Sequence, residues 1–390
     1  SFSFGWGISE ENFFKVDFVD NLKLRASWGQ LGNQEIDDYL FYDTYSFGYD
    51  YSFGNTLFSG ISINDVMANS AITWEKTDQI DVGIDADFWG GKLSFTGDFF
   101  LKNTHAILLK LPMPDLIGVD APMQNAGKVR NTGFELALTH RNQLNLFKYS
   151  ASFNFSYVKN EITDLNGGDI PGRSVGDPVD NIYGYVCEGI FRTQEEIDNS
   201  CSQIWGAVPG DLKYADINND NVVDQSDRIS LGSTFPKINF GLRLNCEYRN
   251  FDLTMLMQGA GMVKGVTAGE ISQAFMNGGK VTEEWLDRWT PNNINASYPR
   301  LTLSSSSRNY MTSSFWVQNA SYLKMRNLQI GYTIPKHLLT NWGISNLRLY
   351  CSIDNLFTIT NFKGLDPEMV TSSTLYPLTR NYSFGVNLSF

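Results

Sequence analysis

No apolar run in these 390 residues approaches the ~20 that a membrane-crossing helix requires. Any residence in lipid must therefore come from strands, because only helices and closed barrels satisfy every backbone group there. Charge is scarce too: charged residues make up 18%, too few to clothe a protein in surface helices. What charge there is leans acidic, 42 Asp and Glu against 30 Lys and Arg, for a formal net charge of -12. With no basic stripe to offset it, that balance excludes nucleic acid as a partner. The four cysteines are too few for a disulfide scaffold, and their spacing fits no zinc pattern. Cys246 and Cys351 alternate with polar neighbours as small hydrophobes, whereas Cys187 and Cys201 share one long connection and are equally open to pairing or to staying free. The three histidines, His105, His140 and His337, have no nucleophile or acid at a recognisable spacing, so no catalytic centre is expected. Paired carboxylates without a cleft do not make a glycosidase either. An export signal is also missing. The chain opens on Ser1-Phe2-Ser3-Phe4-Gly5-Trp6, already alternating, and is expected to be the carboxy-terminal part of a longer polypeptide.

What is present is period-2 alternation. Aromatics reach 14%, with 27 Phe and 18 Tyr, and Gly is plentiful at 34, a composition suited to strands. At the carboxy end Tyr382, Phe384, Val386, Leu388 and Phe390 fall on one face and Asn381, Ser383, Gly385, Asn387 and Ser389 on the other. A strand greasy on one side and polar on the other suits a wall between lipid and a wet lumen. The same pattern recurs at 1–8, 22–29, 81–88, 92–102, 133–139, 149–157, 238–248, 251–258, 322–334 and 347–355, predicting about eleven strands with the last. The expected fold is therefore all-β, part of a transmembrane antiparallel β-barrel covering 1–390. A soluble sandwich also alternates. It is disfavoured by the Phe, Tyr and Leu on nearly every apolar face and by very unequal connections: tight ones around 88–92, 141–147 and 248–251, long ones at 33–70, 105–126, 158–236, 263–314 and 359–378. Barrels of this kind have short periplasmic turns and long extracellular loops, which puts the carboxy terminus on the periplasmic side. The one helical pattern is at 281–289, ended by Pro291.

The sharpest local signal runs from Asp216 to Asp227. Asp216, Asn218, Asp220, Asp224 and Asp227 stand at positions 1, 3, 5, 9 and 12 of a loop, with the Val222 carbonyl at 7, an oxygen set that suits a structural calcium. Asn221 takes the place usually held by Gly, and Asn tolerates the left-handed turn needed there. Lumen carboxylates are expected to hydrate a channel or to pair with Lys23, Arg25, Lys102, Arg243 and Arg348. Segment 33–70 is dense in rings (Tyr39, Phe41, Tyr42, Tyr45, Phe47, Tyr49, Tyr51, Phe53, Phe58); most are expected to extend strands and pack on neighbouring loops, and some to meet a sugar or a partner protein. Trp6, Trp28, Trp89 and Trp342 are expected at strand ends or turns, as an interfacial girdle.

Several longer stretches then become recognisable: Trp28-Gly29-Gln30-Leu31-Gly32-Asn33-Gln34, Thr73-Trp74-Glu75-Lys76-Thr77-Asp78-Gln79, and Asn125 to Glu135 (NAGKVRNTGFE). To these add Pro209-Gly210-Asp211-Leu212-Lys213-Tyr214, Tyr322-Leu323-Lys324-Met325-Arg326-Asn327-Leu328, and Asp354-Asn355-Leu356-Phe357 running to Gly364-Leu365-Asp366-Pro367-Glu368. In this order they resemble the SusC/RagA family of TonB-dependent outer-membrane transporters, across essentially the whole chain. The resemblance implies a 22-stranded barrel of which this chain is the carboxy-terminal half; the family's plug and TonB box have no match here. It further implies a SusD-like lipoprotein lid and import of oligosaccharides or, in some members, peptides. Segments 33–70, 158–236 and 263–314 would then be lid contacts and substrate vestibule, by sidedness. The rivals are a secreted, calcium-stabilised β-rich carbohydrate-binding module and a passive porin.

Overall fold

The computed structural model describes residues 1–33, 38–63, 66–168, 170–303, 307–371, 376 and 378–390. Gln34 and the parts of the four longest connections at 35–37, 64–65, 169, 304–306, 372–375 and 377 lie outside the described residues. Alternation becomes one 11-stranded antiparallel sheet in which sequence neighbours are spatial neighbours throughout. Its strands are β1 (Phe2–Gly7), β2 (Val19–Asn33), β3 (Glu75–Phe88), β4 (Leu93–Lys110), β5 (Met123–Leu144) and β6 (Phe147–Asp164). β7 (Ile238–Tyr248), β8 (Phe251–Gly261), β9 (Tyr322–Thr333), β10 (Asn346–Thr360) and β11 (Asn381–Ser389) complete it. The sheet is open: β1 and β11 are its two edges. No helix of the described residues is long and apolar enough to cross a membrane.

Where the buried residues lie distinguishes this sheet from a soluble sandwich. The apolar side chains that alternation aligned are not packed inside protein: Phe384 is 82% exposed, Val386 62% and Phe153 39%. The three clusters of buried apolar residues sit instead in the connections and at strand tips, around Tyr214, Phe362 and Trp285. A soluble sandwich buries the apolar face of its strands and exposes its loops; this chain does the reverse, as a wall facing lipid must.

Connections alternate in length along the sheet. The ends at 89–92, 145–146, 249–250 and 334–345 are short, and the excursions at 34–74, 165–237, 262–321 and 361–380 leave from the opposite end. One expected loop is smaller than its sequence suggested: β4 runs on to Lys110 and β5 begins at Met123, leaving only 111–122. The pairing survives there through bulges around Ala106, which takes φ 58. Above the greasy band a strand no longer needs an apolar face, so it continues after its period-2 signature has faded. The helical pattern at 281–289 yields a 3-10 turn, Glu283–Asp287, and the one α-helix among the described residues is α1, Gln194–Asp198. Thr193 caps it by accepting from the Glu196 amide, a signal too short for periodicity to reveal.

Of the tryptophans expected at the girdle, Trp89 (in a short turn at φ 56) and Trp342 are exposed at the short-turn end. Trp28 lies within β2 and stacks on Phe2 at 6.0 Å.

Candidate functional site

On the polar face, charged side chains reach across whole strands. Arg25 on β2 holds Asp85 on β3 (Nε to Oδ2, 2.7 Å) and stretches over Gly83 to Asp98 on β4 at 2.8 Å. Arg348 on β10 does the same over Gly331 of β9, reaching Asp252 of β8 with Nε 2.9 Å from Oδ1. In both places a side chain on the intervening glycine would occupy the room of the ion pair. Arg25 and Arg348 thus pair as the sequence suggested, whereas Lys102 lies over the Phe100 ring, 5.1 Å from its centroid. Phe100 itself covers Gly133 of β5, a ring laid over a bare stretch of sheet. The wall is therefore polar and, at Arg25 and Arg348, braced by ion pairs across strands.

The recognisable stretches meet in space. Trp74 lies against Gly32, the Asn125 amide bonds Thr73 in both directions at 2.8 Å, and Glu75 Oε1 accepts the Leu108 amide at 3.0 Å. Three separate sequence motifs thus form one junction at the long-loop end of β2–β5. A second junction pins the 361–371 segment onto β9. Lys324, buried, donates to Asp366 Oδ1 (2.6 Å) and Glu368 Oε2 (2.9 Å), while Tyr322 and Arg326 also hold Glu368. Burial pulls the Glu368 carboxyl up, but the bonds from Lys324, Tyr322 and Arg326 outweigh it and hold the group below its usual range.

A third junction, unread in the sequence, ties the 165–237 excursion to the 262–321 one. Asp211, buried, accepts from Arg300 Nε at 2.6 Å and Asn309 Nδ2 at 2.9 Å. Asn309 accepts from the Leu212 amide at 2.8 Å, and its carbonyl accepts from the Trp316 indole at 2.7 Å. Arg308 donates to the Gln203 side chain and to the Gly206 and Leu212 carbonyls, and lies over the Tyr214 ring. Burial draws the Arg308 guanidinium below its ordinary value and pushes the Tyr214 phenol up. Asp211, Leu212 and Tyr214 belong to the recognisable 209–214 stretch, but their partners lie about a hundred positions away in the chain and no spacing rule joins the two.

Cys187 and Cys201 are both free thiols, each packed against the Tyr185, Leu212, Tyr214 and Val223 cluster. The option of a disulfide between them is therefore not realised. Burial pushes the Cys187 thiol up to about 11.

The 216–227 turn is built by its own carboxylates. Asp216 accepts from the amides of Asn219, Asp220 and Asn221, and Asn218 Oδ1 from that of Asp220. Asp220 Oδ1 takes the Val222 amide, and Asp224 caps the short 3-10 turn at Gln225–Asp227 through the Ser226 amide. Asp227, fully buried, accepts from Ile217, Asn218 and Asp224. Asn219 and Asn221 take φ 61 and 69, the left-handed form expected of Asn221. An ionised carboxylate offers about four lone-pair sites, so Asp216, Asp220 and Asp224 retain acceptor capacity. Among the described residues no three His, Cys, Asp or Glu side chains converge as a metal cage.

The aromatic segment after β2 forms two small hairpins, Tyr45–Phe47 with Ile61–Ile63 and Tyr51–Phe53 with Thr56–Phe58. Contrary to expectation, these hairpins are separate from the wall and extend none of its strands, and their rings do not bury themselves on neighbouring loops; Phe47 and Phe53 are 76% and 70% exposed.

Comparison with known proteins accounts for this arrangement. The family model for TonB dependent receptor-like β-barrels matches residues 11–356. The TonB-dependent receptor P3 of Formosa agariphila is 28% identical over 418 residues, covering 99% of this chain and 41% of that protein. The TonB-dependent receptor SusC of Bacteroides thetaiotaomicron is 28% identical over 414 residues, covering 100% of this chain and 40% of its own length. This chain therefore spans about two fifths of the curated relatives it matches. Among solved structures, the RagAB peptide transporter superposes with a TM-score of 0.81 at 24% identity, over 100% of this chain and 43% of that one. With an 11-stranded wall, alternating loop lengths and a match over most of its length, this chain belongs to the TonB-dependent receptor-like β-barrel family.

Proposed function

We propose that the chain supplies wall and loops of a TonB-driven importer of oligomeric nutrients, glycan or peptide, in a 22-stranded barrel closed by a SusD-like lipoprotein. The observation that carries this reading is the two-faced sheet: rings exposed on one side, strand-crossing ion pairs on the other, and the four largest excursions leaving from one end. Such a wall is a stiff hydrated conduit with recognition surfaces at its mouth. The long loops are placed outside the cell and the carboxy terminus in the periplasm. The exposed hairpin rings and the two joined excursions form the lid contacts and vestibule, since large rings with polar tips suit an interface. The 216–227 turn is proposed to bind calcium through Asp216, Asn218, Asp220, the Val222 carbonyl, Asp224 and Asp227, the last also holding amides of the turn; spacing and donor type support it.

The test is uptake of fluorescent oligosaccharide and peptide pools by cells whose only importer of this type carries this chain. Uptake is expected to stop on deletion of TonB or collapse of the proton gradient, and a surface lipoprotein is expected to co-purify. Uptake that continues without TonB would identify a passive porin instead.

A further inference from the structure

In the excursion between β6 and β7, Trp205 combines a left-handed backbone with an exposed indole, as Trp89 does at the short-turn end, but it lies beside cavities lined with arginine. Its φ is 58, a region in which a bulky residue is an outlier. It is the third residue of a turn closed by the Gly206 amide on the Gln203 carbonyl at 2.9 Å, a place that favours Gly or Asn. Burial does not explain the choice, because the side chain is 71% exposed. Nor is the turn a loose tip. Ser202 exchanges backbone bonds with Asn221 (3.0 Å) and Val223 (2.7 Å), and the Gln203 side chain grips the Tyr214 backbone from both ends. A strained, exposed indole on a rigid base is what a binding surface looks like, since strain of this sort persists where function requires it.

Trp205 lines two cavities. One, of about 380 Å³, is also lined by Arg300, Arg308 and Asp211; the other, of about 240 Å³, by Tyr183, Gln225 and Arg228. Their charge does not balance. The first cavity has two guanidiniums to one carboxylate, and Asp211 already accepts from Arg300; the second has the Arg228 guanidinium and no carboxylate in its lining, though Asp224 and Asp227 lie near enough to act on its Tyr185. Arg308 gives its hydrogen bonds to neutral carbonyl oxygens, and its buried Nε has no hydrogen-bond partner. Arg228 lies over the Tyr183 ring at 5.3 Å.

The geometry points to an acidic sugar, a uronic acid or sulfated residue of an oligosaccharide, as the ligand of Trp205. The apolar face of a pyranose ring stacks on the indole, and its carboxylate or sulfate pairs with the planar guanidiniums beside it. A neutral sugar leaves the excess positive charge unmet. An extended peptide is favoured less, because it is usually gripped through main-chain bonds at a strand edge, whereas here side-chain rings and guanidiniums line the space. The proposal rests on the importer reading and narrows its substrate class.

Calorimetric titration of the intact transporter that carries this chain, in detergent, tests it. The probes are a galacturonate hexamer, a chondroitin sulfate hexasaccharide, maltohexaose and a hexaglutamate peptide. At least one acidic sugar is expected to bind about tenfold more tightly than maltohexaose or hexaglutamate. Trp205→Gly gives the turn the residue its φ favours, so the melting temperature is expected to hold or rise while acidic-sugar affinity falls about tenfold or more. Trp205→Phe should recover part of it. Unchanged affinity in Trp205→Gly, or hexaglutamate binding with the same dependence on Trp205, overturns the proposal; the latter result makes the surface a peptide or lid contact. If these titrations fail while TonB-dependent uptake persists, only the assignment to Trp205 falls. If wild-type uptake is independent of TonB, the importer reading falls on its own account.

Discussion

Lys324 concentrates an energetic question in one side chain. Its ammonium is almost wholly buried and faces Asp366 and Glu368, so the 361–371 segment is held by a charge cluster that only a cation completes. Removing one partner from a buried pair leaves the rest uncompensated, typically at about 3 kcal/mol or more. In Lys324→Met the amides of Glu368 and Met369, bonded to the Asp366 side chain and carbonyl, should lose hydrogen-exchange protection at pH 7. Acid should act on the wild type in the same direction. Because Glu368 is depressed in the folded state, its contribution is complete above the ordinary carboxylate range and is lost as pH falls through the lower folded value. Protection is therefore expected to be complete above the ordinary carboxylate range and to fail as pH falls below it. Early loss between pH 5 and 7 would show that the carboxylate is not held by these donors. The cluster was half visible in the chain: YLKMRNL and GLDPE both stood out as motifs, but their contact spans 42 positions and no spacing rule joins them.

Elements that lipid constrains were legible almost to the residue, and those that water surrounds were not. β7 is Ile238–Tyr248, as its alternation says, because both faces are specified along its whole length. β5 is Met123–Leu144, yet only 133–139 showed the period; above that stretch Asn125, Gly127 and Lys128 answer to junctions and bulges rather than to a greasy band. The 216–227 turn is the intermediate case. Its sequence specified the left-handed Asn221 and a ring of acceptors, while the fold turns many of those acceptors onto backbone amides. If calcium takes up the remaining lone pairs, the ligated form is stabilised by mass action, about 2.7 kcal/mol at a hundredfold excess over the dissociation constant. Chelation is then expected to make the intact transporter more sensitive to trypsin at Arg228, just after the turn, and Asp216→Asn to abolish the difference. A digestion pattern indifferent to both calcium and chelator would leave the turn closed by its own hydrogen bonds alone.

For the molecule as a whole, the decisive fact is that a sheet with an apolar outer face ends in two unpaired strands. β1 offers the edge of Phe2–Gly7 and β11 that of Asn381–Ser389. In water such edges are an aggregation hazard; in hydrocarbon each unpaired amide or carbonyl costs several kcal/mol, and a handful of them outweighs the ~5–15 kcal/mol that holds a typical domain folded. The outward rings do not relieve this, since Phe384 and Tyr382 on β11 face lipid without satisfying any backbone group. Closure must therefore come from further strands, consistent with a chain that spans about two fifths of its curated relatives. Refolded alone into lipid vesicles, these 390 residues are expected to give edge-paired oligomers and aggregates rather than a monomer with the heat-modifiable gel mobility of a closed barrel. Adding the remaining strands of the same transporter as a second polypeptide should restore that mobility. Pro substitutions at inward-bonding positions of β11 should prevent the rescue, because they remove ladder donors from the edge that must be joined. A stable, heat-modifiable monomer formed by this chain alone would mean that β1 and β11 pair with each other, and the larger barrel would have to be abandoned.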